Sequence, residues 1–203
     1  MMIGRTMFGG LAAILLAGPV AAAAPAGMAD PLACMEASYS EAQSAEIATL
    51  TANYRSAGDP ENSQWSTRIG EVVLPVVDLC SGEQGWSESA LYYGTLFEMG
   101  RLSEIAYRQS GSLTPEQIRL MDEALARRER PELWSLMERA VVAGLEGGDP
   151  DFSEQELFMM GSFVVSAGIG SDEEAGEKVG ELMGMMALVR YARREFDALQ
   201  IQE

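Results

Sequence analysis

The chain has 203 residues and carries 31 acidic side chains against 14 basic ones, a formal net charge of −17 at neutral pH. Such a surface repels phosphate backbones and anionic lipid heads, which sets nucleic acid and membrane surfaces aside as partners. Histidine is absent, and with it every Ser–His or Cys–His nucleophile pair and every His-ligated zinc or iron site. The sole lysine, Lys178, lies beside Glu177, the opposite of the desolvated setting that a Ser–Lys mechanism needs.

The first two dozen residues read as a secretory leader. Arg5 precedes an uncharged apolar core, Phe8 to Gly18, and Pro19 and the small residues Val20 to Ala24 follow. That core is about 11 residues, against roughly 20 needed to span a bilayer. The expectation is a cleaved signal peptide over 1–24, cut after Ala22 or Ala23, with no stable membrane anchor afterwards and a periplasmic or secreted location. Cys34 lies too far beyond the apolar core for lipoprotein processing. The mature chain, 25–203, is long enough for one domain with a sizeable core.

Beyond the leader, no segment alternates apolar and polar residues over strand length, and the punctuation is that of helices. A first helix is predicted from Pro31 to Ala57, ending at Gly58-Asp59-Pro60. A second runs from Glu61 to Cys80, bent or interrupted at Pro75. Ser87 caps a third, through Gln109 to Gly111. Thr114-Pro115-Glu116-Gln117 is a capping box with proline at the first helical position. The helix it opens breaks near Arg130-Pro131, and another continues to Leu145. Two further boxes, Ser153 to Glu156 and Ser171 to Glu174, open helices ending near Ala167 and Leu199. The predicted fold is all-α: a single-domain bundle of about seven helices, with a hairpin over 30–82 and the remaining bundle over 87–203. Nothing repeats at the roughly 34-residue period of a helical solenoid.

Cys34 and Cys80 are the only cysteines, and their midpoint falls beside the turn at Gly58-Asp59-Pro60. Two antiparallel helices leaving that turn bring residues equidistant from it side by side, so the pair is expected to form a disulfide at the open end of an αα-hairpin. Closing a loop of that length is worth on the order of 4 kcal/mol. The wide spacing speaks for a staple and against a redox motif such as C-x-x-C. Over roughly residues 30–85 this hairpin resembles the small helical chaperones of bacterial periplasms, which implies a holdase role under acid stress; the chain is about twice their length.

On the third helix, Glu98, Arg101, Glu104 and Arg108 share a sector and are expected to form a solvated ion-pair ladder. From Leu157 to Ser171 the chain carries no charge and is apolar on every side, which predicts a helix central to the bundle or covered by a partner. On the last helix Gly176, Gly180 and Gly184 form a row open to close approach, with Met183 alongside: a helix-packing or partner face. Its apolar face shifts past Leu188 to Ala192, Phe196 and Leu199, so its two halves should meet different neighbours. Methionines gather in these last two helices and are expected to be ordinary core; were one of the helices exposed, they would instead form an adaptable apolar surface for a client or a second copy.

Motifs for chemistry are wanting. Asp149-Pro150-Asp151 begins like a calcium loop, but Glu154 stands where glycine is required and Met160 where a bidentate acid is required. Phosphate-binding, nucleophile-elbow and dinucleotide fingerprints are missing, and no cofactor or metal is expected. Paired carboxylates are the one catalytic system the composition permits; Asp78 and Glu98 have apolar sequence neighbours. The reading that follows is a non-enzymatic module binding a protein or peptide, or a second copy of itself, through helical surface. Its rival is a carboxylate-dependent hydrolase acting on cell-wall glycan.

Overall fold

The computed structural model describes residues 30–55, 62–127 and 129–200. The signal-peptide expectation and the Gly58-Asp59-Pro60 turn lie outside them. The described residues are all-helical, with eight helices and no strand: α1 Ala33–Ser38, α2 Glu41–Ala52, α3 Asn62–Gln84, α4 Glu88–Gln109, α5 Pro115–Ala126, α6 Pro131–Leu145, α7 Glu154–Ser166 and α8 Glu173–Gln200.

The eighth helix arises because the first predicted helix is two. Tyr39 leaves α1 in an extended conformation (φ −66°, ψ 127°), and Ser40 opens α2 with a full capping box on Gln43. The hydroxyl of Ser40 accepts from the Gln43 backbone N–H at 3.3 Å while the Gln43 side chain accepts from the Ser40 N–H at 3.0 Å. Two orphan donors are thereby satisfied, so the break costs little. Pro75 does not interrupt α3, which continues through it to Gln84 and stops at Gly85, held at φ +71°. The remaining starts fall where expected: Ser87, Thr114 and Ser153 all cap through their side chains. In α8 the cap is Asp172, one residue later than the predicted box, accepting from the Ala175 N–H at 2.8 Å.

Helices α4 and α8 form the most extensive packing pair and run antiparallel. Trp86, just before α4, stacks edge-on against Phe196 at 4.9 Å. Midway, a Cβ on Gly100 would lie 3.1 Å from Val189 and 3.2 Å from Leu188. At the far end, the Tyr107 hydroxyl donates to the Lys178 carbonyl at 2.9 Å. Helix α4 therefore follows both halves of α8, and α6 also borders both, with Leu133 and Met137 beside the 176–183 stretch and Trp134 under Arg190. The expected change of neighbours is confined to α7, which lies against the first half. A continuous cluster of buried side chains runs from Leu32 and Met35 through Ile69, Val73 and Tyr107 to Leu182 and Phe196. Of the core-facing residues, Gly94 has a specific reason to be glycine, because a Cβ there would meet the Trp86 ring at 2.9 Å.

Cys34 and Cys80 are joined in a disulfide, with Cα atoms 6.0 Å apart. The link ties α1 to α3, and α2 also packs on α3.

Candidate functional site

Helix α7 is neither central nor covered in the isolated chain. Phe163 and Val164 turn inward and are buried, but Phe158 is 76% exposed, Val165 57% and Leu157 52%. Three of the most exposed large apolar side chains thus sit on one thirteen-residue helix. Single exposed apolar residues are ordinary; three on one helix make a candidate docking surface.

Beside that cluster lies a groove of about 530 Å³ between α6, α7 and α8. Leu133 and Met137 of α6 form one wall, Leu157, Met160 and Phe163 of α7 the other. The floor is α8, where Gly176 and Gly180 lie one turn apart with Val179 and Met183 alongside. Three of the predicted partner-face residues, Gly176, Gly180 and Met183, therefore come together here. Gly184, a turn further on, is not among the lining residues. A Cβ built on Gly176, Gly180 or Gly184 would meet no side chain and no other element within 4 Å. Among the described residues these glycines admit no neighbouring backbone, in contrast to Gly94 and Gly100, which do the packing between α4 and its neighbours.

The α6 wall escaped the sequence reading. Its signal was present, since Leu133 and Met137 stand four apart on one face of a helix.

One end of the groove is acidic. Asp172, Glu173 and Glu177 line it, no basic side chain does, and among the described residues none of the three forms an ion pair. The N-terminal dipole of α8 offsets roughly half a charge of the three. Arg130 lies over the Phe163 ring at 4.9 Å and lines an adjacent recess with Phe158.

The predicted solvated ladder on α4 is a correction. Glu98 is 1% exposed, and Arg101, Glu104 and Arg108 are each only about a quarter exposed. Both Glu98 oxygens are held in a fork by Arg101, at 2.8 and 2.7 Å. The Tyr39 hydroxyl donates to the same carboxylate at 2.8 Å. Burial first, then the Glu98 charge, pushes the Tyr39 phenol well above its usual range. The hydrogen bond to Glu98 raises the Arg101 guanidinium further. Farther along, Arg108 reaches Glu104 at 2.9 Å and makes two bonds of 3.1 Å to Asp122 of α5. A helix periodicity shows which residues share a sector; it does not show that another segment will cover it.

The second acid considered for carboxylate chemistry, Asp78, lies exposed on α3, while Glu98 has its oxygens occupied as described. A recess of about 580 Å³ with charged residues in its lining lies between α6 and the segment Asp149, Pro150 and Asp151 that precedes α7, and borders α8. Its arginines are engaged by acids of the chain: Arg139 with Glu156 at 2.8 Å, and Arg194 with Glu138 and with Glu195. The Glu156 carboxylate is held below its ordinary range by the Ser153 backbone N–H and hydroxyl, and then by Arg139. Among the described residues, no group of three or more Cys, Asp or Glu side chains is placed to hold a metal ion, and no helix is long and apolar enough to cross a membrane. Comparison of the chain with protein-family models, with curated proteins and with solved structures finds no match in any of the three.

Proposed function

We propose that this chain is a non-enzymatic binding module, exported and organised as one helical bundle, that takes a protein or peptide segment into the groove between α6, α7 and α8. The observation that carries this reading is the open glycine floor. Mid-helix glycine costs roughly 0.5–1 kcal/mol relative to alanine, and at Gly176 and Gly180 none of the described residues occupies the space so created. A walled apolar trough above that floor, flanked by Leu157 and Phe158, has the form of helix-in-groove recognition. Its methionines, Met137, Met160 and Met183, let the walls adapt to more than one sequence.

The methionines also supply the test. With methyl-labelled methionine in the mature chain, titration with an amphipathic helical peptide should shift the Met137, Met160 and Met183 methyl resonances. Met137 and Met183 are themselves buried beneath the groove and Met160 is partly buried, whereas Met35 and Met121 are buried away from it and should stay in place. A titration that moves none of the three, with peptides of either charge, contradicts the reading.

A further inference from the structure

We infer that the occupant of the groove is a basic amphipathic helix that presents small residues, one turn apart, to Gly176 and Gly180. This rests on the groove being a binding site, and it specifies the chemistry of the partner. Among the described residues, the backbone of α8 is bare at two successive turns, with no atom of another element within 4 Å of either missing Cβ. A second helix lies closest along such a line if its own contact residues are glycine, alanine or serine, because then neither backbone is held off by side chains. The described residues contain no strand, so an extended peptide would find no edge to pair with; a helix brings its backbone hydrogen bonds already made.

Charge selects among helices. The groove ends at Asp172, Glu173 and Glu177 with no lining base, and the chain as a whole carries −17. Within about a Debye length, roughly 8 Å at physiological salt, those carboxylates attract a lysine- or arginine-flanked segment and repel an acidic one. The same field argues against a second copy of this chain, whose matching face would bring like charges together. Once docked, the partner's apolar face covers the walls and its basic flank meets the rim, so apolar area supplies affinity and the rim sets orientation.

The experiment uses one amphipathic peptide scaffold with alanines four apart on its apolar face, made with lysine flanks and again with glutamate flanks. Binding to the mature chain is followed by anisotropy and by the methionine methyl resonances. The lysine form should bind at least about tenfold more tightly at low salt, with the difference shrinking as salt rises. Replacing the rim (Asp172→Asn, Glu173→Gln, Glu177→Gln) should erase the preference; asparagine retains the cap on α8, so the variant keeps its fold. Leucine in place of the peptide alanines should weaken binding about tenfold or more. Equal binding of the two flanked forms, with the groove methyls shifting, overturns the basic partner while leaving the groove as a binding site. Failure of every peptide to shift those methyls overturns both. A mature chain that dimerises in sedimentation, and becomes monomeric with Gly180→Leu, identifies a second copy as the occupant and overturns the inference.

Discussion

The Tyr39 hydroxyl and the Glu98 carboxylate meet at 2.8 Å although 59 residues separate them, and Tyr39 reaches that position only because the chain leaves α1 to extend before Ser40. The break between α1 and α2 and the burial of Glu98 are thus one feature. Arg101 completes it with a two-pronged bond. Removing Arg101 (Arg101→Met) should leave a buried carboxylate uncompensated and cost about 3 kcal/mol or more. Tyr39→Phe removes one charge-assisted hydrogen bond of several and should cost about 1.5–3 kcal/mol. Denaturant unfolding of both variants measures the ordering.

The same tyrosine gives a pH dependence. The Tyr39 and Tyr107 phenols are both raised above their ordinary value, chiefly by burial, with nearby carboxylates adding to it. A raised folded-state pKa favours the neutral phenol. The associated stability is therefore fully present below the unfolded value, near 10, and is lost as pH climbs towards the folded one. Melting temperature should decline from about pH 10 upward, and Tyr39→Phe should show a shallower decline than the parent chain. An unchanged slope would assign the alkaline loss to other groups.

Glycines on the two sides of the α4–α8 layer should respond with opposite sign. Gly94→Ala drives a methyl into the Trp86 ring and should destabilise by about 1–3 kcal/mol through overpacking. Gly180→Ala enters open space on an established helix and should stabilise by roughly 0.5–1 kcal/mol. Thermal unfolding of the two single variants decides the matter.

The disulfide was legible in the sequence from the symmetry of Cys34 and Cys80 about a turn signal, and the two sulfurs are bonded. Replacing both cysteines with serine should cost about 2–4 kcal/mol, most of it through the freer unfolded chain. Refolding under reducing conditions should show a loss of similar size in the parent protein and none in the double variant.

Helix boundaries were legible wherever a capping residue announced them, at Ser87, Thr114 and Ser153. Ser40 and Gln43 carry the same signature, but apolar spacing continues across Tyr39 and hides it. The glycine row on α8 was visible as a close-approach face. Whether it faced a neighbour or open space depended on where α7 lies, and an uncharged helix reads the same whether it is buried or waiting for a partner. Periodicity failed at Glu98 for a related reason. The charge spacing of α4 is that of a solvated face, and only the tertiary path of residues 38–40 places Tyr39 over it.

The central claim is tested most directly by filling the groove floor. A Gly176→Leu, Gly180→Leu chain should keep its helical content and lose the peptide-induced shifts of Met137, Met160 and Met183, with affinity for the lysine-flanked peptide falling at least about tenfold. Undiminished binding with the floor filled would contradict the account.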